Sequence, residues 1–395
     1  MSKNKKIQIL EGSHAIALTI KNIAPAVISA YPITPQTHIV EDLAKFKADG
    51  EANYEYVRAE SEFAAASIVL GASATGVRTY SATSSQGLLL MTEVIFNIAG
   101  LRLPIVMTCA NRSVSAPINI WNDHQDVMII RDSGWILLFA ENHQEAISQH
   151  IMAYKIAETT KLPVMVNVDG YLITHSYEPA WIPEAKAIQK YLGQYRPTPK
   201  TYLDPNDPVT IGSFVAPNNY MEIRQELHED LVSSQKIIDA EYFNYQKNFD
   251  TTTKNNKTED NGLIEYSGPK NPQAILVAMG SVLGTIRAAI KENGFENKIG
   301  VLKIRTYRPF PKEAISKIIF RTKNIAVIEK ALSLGQEGPL TLDIKALLIN
   351  QKNSINIQNY IVGLGGRDIT RQMIKNIIND IIKTKQSAKS KFVNN

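Results

Sequence analysis

The sequence predicts an α/β protein in two units, each a parallel sheet with helices packed on it. Three observations carry that expectation. From Ile16 onward, short apolar runs that suit strands alternate with longer segments of helical period. Runs such as Pro104 to Thr108 and Ala274 to Met279 are apolar at nearly every position, as in strands covered on both faces. The 395 residues also exceed one small core, and a polar stretch separates two alternating segments.

Taken in order, Pro25 to Tyr31 reads as a strand, Thr37 to Phe46 as a helix, Tyr54 to Val57 as a strand and Ser61 to Ala74 as an alanine-rich helix. The strand Arg78 to Ala82 and a helix from Gly87 to Ile98 follow. The strand Pro104 to Thr108 then leads into a polar loop, Asn111 to Asp126, and a short helix, Val127 to Arg131. Strands at Trp135 to Phe139 and Pro163 to Asp169 flank a helix from Gln144 to Glu158. Ser176 to Pro208, rich in proline, tyrosine and charge, reads as an extended connection, and Tyr220 to Tyr245 as a polar helix. Around the Thr/Lys/Asn/Asp run that follows, an exposed linker is expected. Beyond it, strands at Ala274 to Met279, Ile299 to Ile304, Ile325 to Glu329 and Tyr360 to Gly363, with a closing helix Asp368 to Ile382, make a smaller, separate unit. The expected division is 1–245, a linker over 246–267, and 268–395.

The net charge of +5 is modest, and its excess lysines cluster at Lys3 to Lys6, Lys254 to Lys257 and Lys383 to Lys391. No aromatic platform is interleaved with them, so nucleic acid is not the expected partner. The N-terminal stretch lacks an apolar core of signal-peptide length, and no run approaches a membrane span, which makes the cytoplasm the simplest location. Cys109 is the only cysteine, so the chain by itself cannot hold an intrachain disulfide, a cysteine-rich zinc site or an iron-sulfur cluster. Closing an apolar strand, it reads as a small buried hydrophobe.

Four stretches carry candidate chemistry. In Asn111 to Asp126, an arginine, serines, asparagines and an Asp-His-Gln-Asp cluster occupy a crossover loop at the end of a buried strand, where open α/β sheets bind ligands. In Tyr31 to Thr37, two prolines flank Ile33 and Thr34 and fix the backbone, so that Thr34 stands at a strand's carboxyl end, able to bond an anion. A rigid turn with Thr34 or Thr37 as helix cap explains the spacing equally well. Glu62 opens the helix with Phe63-Ala64-Ala65-Ala66; small neighbours can shield that carboxylate, which suits proton chemistry on a bound nitrogen base, although a favourable place on the helix dipole accounts for it too. Thr83 to Gly87 could offer free amides to an anion or a serine cap to a helix. Gly363 to Gly366 has part of a dinucleotide turn without the downstream acid, and Asp169-Gly170 has part of a magnesium-diphosphate motif without its first glycine; neither is taken as a site.

Together these residues resemble a family. Tyr-Pro-Ile-Thr-Pro at 31 to 35, Ser-Glu at 61 to 62, Ser-Gln-Gly-Leu-Leu-Leu-Met at 85 to 91 and the segment from Asn111-Arg112 to Asp126 resemble the α subunit of pyruvate:ferredoxin oxidoreductase and related 2-oxoacid oxidoreductases. Asp169-Gly170 with Thr174-His175, Lys303 to Arg305 and Arg308 to Pro311 extend the resemblance over nearly the whole chain.

The resemblance implies a pyrimidine-type thiamine diphosphate domain followed by a transketolase C-terminal-like domain. It implies oxidative decarboxylation of pyruvate with coenzyme A, electrons passing to ferredoxin, on a site shared with a β subunit. Magnesium and [4Fe-4S] clusters would then lie on the β, γ or δ partner subunits, and the chain alone would be inactive. Glu62 would hydrogen-bond the aminopyrimidine ring of the cofactor, favouring the tautomer that takes the thiazolium proton. Thr34 and Arg112 would hold the substrate carboxylate, to which a guanidinium offers two coplanar donors. His124 would be a satisfied structural histidine within the Asp123 to Asp126 cluster. A branched-chain 2-oxoacid as substrate, and a scaffold subunit without chemistry, are the alternatives.

Overall fold

The computed structural model describes residues 6–249, 258–349, 355–384 and 389–394. Two seven-stranded sheets and one two-stranded ribbon organise them. In the first sheet the spatial order is Thr306–Arg308, Ile136–Phe139, Val164–Asp169, Val106–Asn111, Thr79–Thr83, Val27–Ala30 and Glu55–Arg58. Every neighbouring pair is parallel except the first. Its central strands are buried at every position, as the continuous apolar runs required.

The chain goes from Val27–Ala30 outward to Glu55–Arg58, then returns to the other side of Val27–Ala30 with Thr79–Thr83. That reversal makes a switch point, and the crevice beyond it opens at the carboxyl ends of the strands. The helix Glu62–Ala74 begins there. Ser61 caps it by accepting from the Ala64 amide, and Ala65, Ala66 and Val69 are buried on it.

In the second sheet the order is Lys391–Phe392, Asn356–Ile361, Asn324–Glu329, Ala274–Ala278, Ile299–Ile304, Ile264–Ser267 and Thr258–Asp260, the last two antiparallel to what precedes them. Along Ala274–Ala278 the side chains alternate: Ile275 and Val277 join the main core, which runs on into the first unit, while Ala274, Leu276 and Ala278 pack on the other face.

Several expectations are corrected. The residues read as a linker over 246–267 hold the end of a long helix, Pro217–Phe249, and two strands of the second sheet; the polar run 250–257 lies outside the described residues. Both strands are short and between them mix polar with apolar residues, and in Ile264–Ser267 only Ile264 and Tyr266 are buried. The second unit is not separate either, because Thr306–Arg308 pairs with Ile136–Phe139 and completes the first sheet. Ser176 to Pro208 contains a strand, Tyr177–Ala180, paired with Gln8–Glu11, and a helix, Ala185–Leu192. The single helix expected over Gly87 to Ile98 is two, Ser85–Leu90 and Thr92–Gly100. Among the described residues no helix is long and apolar enough to cross a membrane.

Candidate active site

Four loops from four adjacent strands meet at the switch point. They follow Val27–Ala30, Glu55–Arg58, Thr79–Thr83 and Val106–Asn111, and carry respectively Thr34, Glu62, the Ser84 to Gly87 turn and Arg112.

Glu62 is buried, 7% exposed, and among the described residues its carboxylate receives no hydrogen bond. It lies against Gly87, where an added Cβ would come within 2.8 Å of Glu62 Oε1 and 2.5 Å of Thr83 Oγ1. Only glycine leaves room for the carboxylate there. Thr83 Oγ1 is itself buried and unpartnered. Buried polar groups without partners are uncommon and call for a ligand or another explanation.

Arg112 is 9% exposed and fixed at three points. Its Nε donates to the Asn119 carbonyl at 3.1 Å, its Nη1 to the Thr34 carbonyl at 2.8 Å, and its backbone amide to Asp126 Oδ2 at 3.0 Å. The second terminal nitrogen, Nη2, has no partner among the described residues. Burial lowers the guanidinium pKa from its ordinary value, opposed by Asp126; it remains charged at neutral pH. The Thr34 hydroxyl is also without a partner among the described residues. Sequence reasoning paired Thr34 with Arg112, and the structure joins them through the threonine carbonyl.

Asp126, quoted in the loop but given no role, is the hub. It is fully buried and accepts from the Ser85, Arg112 and Val127 amides and from Asn111 Nδ2. Burial pushes its pKa up to about 6, restrained by the Arg112 and Asn111 donors. The Ser85 amide is thereby occupied, so the Thr83 to Gly87 turn offers that donor to no anion, and Ser84 makes no side-chain cap. Gln36 is the other missed residue. Its amide donates to the Tyr31 and Ala82 carbonyls, tying the Thr34 turn to the neighbouring strand, and neither Thr34 nor Thr37 caps the helix Thr37–Ala48.

The second unit holds this loop from outside. The Gly365 amide donates to Asp123 and the Gly366 amide to the Asn122 carbonyl at 2.7 Å. Gly363 to Gly366 therefore docks the loop Asn111 to Asp126. Asp169 is likewise buried and occupied: it accepts from His124 Nε2 at 2.6 Å, from the Ser281 amide at 2.8 Å, and from Lys330 Nζ and Ser281 Oγ. Burial opposes ionisation there, yet Lys330 and His124 hold the carboxyl well below its usual range. His124 is structural as expected, but its ring partner is Asp169 rather than the Asp123 to Asp126 cluster. Cys109 is buried beneath Asp126, and burial pushes its thiol pKa up.

Comparison with known proteins gives the family. Residues 19–243 match the thiamine-diphosphate-binding domain of pyruvate flavodoxin/ferredoxin oxidoreductases, and residues 273–374 match pyruvate:ferredoxin oxidoreductase core domain II. The chain is 46% identical to pyruvate synthase subunit PorA of Methanocaldococcus jannaschii over 390 residues, 97% of each chain. It is 37% identical to ketoisovalerate oxidoreductase subunit VorA of Pyrococcus furiosus, over 97% of this chain and 95% of that one. Its fold is similar to that of a 2-oxoglutarate:ferredoxin oxidoreductase from Magnetococcus marinus, with a TM-score of 0.71 at 21% identity, covering 96% of this chain and 66% of that one.

Proposed function

Because the chain belongs to the pyruvate flavodoxin/ferredoxin oxidoreductase family, we propose that it is the α subunit of a complex that converts pyruvate and coenzyme A to acetyl-coenzyme A and CO2, passing electrons to ferredoxin. The observation that carries the proposal is the unpartnered carboxylate of Glu62 in its glycine-walled recess at the sheet switch point.

That recess fits a thiamine diphosphate pyrimidine, since a buried carboxylate wants a donor and the Gly87 wall leaves a flat ring free to approach. When bound, this cofactor supplies the electron sink that lets the carboxylate carbon leave a 2-oxoacid. Glu62 would hold the aminopyrimidine ring through a shared proton. Arg112 binds the substrate carboxylate through Nη2 while Thr34 and Asn119 keep the guanidinium plane fixed, and the Thr34 hydroxyl gives a second donor. Asp126 keeps Arg112 and the Ser85 turn in register. A single buried cysteine cannot hold an iron-sulfur cluster, which is left to the β, γ or δ partners.

Pyruvate is favoured over a branched-chain 2-oxoacid because the relatives named for pyruvate share 42–46% identity and those named for ketoisovalerate 36–37%. The test is turnover of a panel of 2-oxoacids by the purified complex with a low-potential acceptor. Pyruvate should give the highest kcat/KM, and the isolated chain none. Preference for 2-oxoisovalerate would overturn the substrate, and turnover by the isolated chain would overturn the shared site.

A further inference from the structure

A second cluster of metal-ligating side chains lies outside this site. Glu11, His38 and His175 each present one ligand atom, and the three atoms lie within 4.8 Å of one another. Glu11 ends the ribbon strand Gln8–Glu11, in register with Tyr177. His38 is the second residue of the helix Thr37–Ala48, and His175 lies in the turn that follows the strand Val164–Asp169. The Glu11 and His175 segments are tied by backbone bonds, from the Ser13 amide to the Thr174 carbonyl at 2.9 Å and from the His175 amide to the Tyr171 carbonyl at 3.1 Å, and His38 is fixed in its helix. The geometry is therefore set by the fold rather than by the side chains themselves.

We propose that Glu11, His38 and His175 form a binding site for a divalent ion of the zinc class, with its remaining coordination open to water. Two imidazoles and one carboxylate are a ligand set that zinc takes with an open position, whereas magnesium prefers oxygen ligands throughout. The imidazole rings already lie side by side, their centroids 4.6 Å apart, and Glu11 Oε1 is 2.7 Å from His38 Nδ1. An ion entering here replaces the proton shared by that pair. His175 Nδ1 pairs with Thr174 Oγ1 at 2.7 Å, the second hydrogen bond by which a ligating imidazole is usually oriented.

The site touches the loop Asn111 to Asp126 indirectly. Tyr171 stacks on His175 at 4.6 Å and on Trp121 at 4.4 Å, and Trp121 belongs to the loop that carries Arg112. His38 lies in the first turn of the helix that follows Thr34. A bound ion thus clamps the start of that helix to the Tyr171 turn.

The experiment dialyses the purified complex against Zn2+ and measures retained zinc per copy of this chain, with Mg2+ as the second arm. The wild-type complex should hold one more zinc ion than a His38→Ala/His175→Ala complex, with two imidazole ligands in the zinc-edge absorption spectrum. Glu11→Gln should weaken zinc binding about tenfold or more, and Mg2+ should not compete. His14→Ala, a neighbouring histidine paired with Asp42, should retain the ion and shows whether zinc sits in this cluster or on a diffuse patch. Equal zinc in wild-type and double variant, loss of zinc in His14→Ala, or a spectrum without imidazole overturns the proposal.

Discussion

The decisive residues are acids placed where water is scarce, and their surroundings set what each does. Glu62 receives no partner from the described chain, so its role is open to a ligand; Asp126 accepts four nitrogen donors and is committed to structure. Replacing Glu62 by glutamine keeps the shape and removes the proton site. In the reconstituted complex, Glu62→Gln should lower kcat by about 10²–10⁴-fold with assembly unchanged on gel filtration, and full activity would place the chemistry elsewhere. Glu329 shows the other outcome of burial. It accepts from the Leu340 and Thr341 amides, the Thr341 hydroxyl and Asn359 Nδ2, yet burial raises its pKa to about 7. The folded protein therefore keeps this proton where the unfolded chain has lost it. The stabilisation is complete below the unfolded pKa near 4.5 and disappears as pH rises through about 7. Relative to Glu329→Gln, the wild type should lose roughly 3 kcal/mol of stability between pH 5 and pH 8. Parallel pH profiles in thermal melts would rule this out.

At the scale of elements, the loop Asn111 to Asp126 is shaped by what presses on it. Gly366 has φ +79°, and a Cβ there would lie 2.3 Å from Trp121 Cβ. Gly366→Ala should push Trp121 and Asn122 outward, release Arg112 from its plane, and raise KM for the 2-oxoacid more than it lowers kcat. An unchanged KM would mean that docking of the two units does not position the arginine. The central strands of the first sheet, Thr79–Thr83, Val106–Asn111 and Val164–Asp169, were legible because they are buried along their whole length. Thr34, Glu62 and Arg112 stood out because polar residues at strand ends have few structural reasons to be there. What was not legible needed a tertiary partner. The helix Gly12–Ile23 is buried over most of its turns and lacks a clear polar stripe, and the strands Thr258–Asp260 and Ile264–Ser267, which close one side of the second sheet, are short and between them mix polar with apolar residues. Asp126 looked like one acid in a polar cluster because its donors come from Ser85, Asn111 and Arg112, as far as 41 residues away.

Across the whole molecule, the two units are joined by buried charge as well as by apolar packing. Lys303 and Arg305 bridge to Glu141 and Glu145, and although burial works against it, these two cations bring the Glu145 carboxyl down to about 2. Behind the loop Asn111 to Asp126, Lys330 reaches Asp169 and, at 2.7 Å, Asn122 Oδ1, while its carbonyl accepts from the His124 amide at 2.8 Å. One lysine of the second unit thus neutralises an acid of the first and holds the loop that carries Arg112. Lys330→Met keeps the length of the side chain but leaves Asp169 with His124 and Ser281 alone. Removing one partner of a buried pair costs about 3–5 kcal/mol, chiefly through the charge left behind. The variant complex should melt lower by that amount, exchange amide hydrogens faster over Asn111 to Asp126 and Gly363 to Gly366, and recover part of its stability when Asp169→Asn removes the stranded charge. If the double variant is no more stable than Lys330→Met, the loss comes from packing around the lysine stem, and the ion pair is not what couples the second unit to the active site.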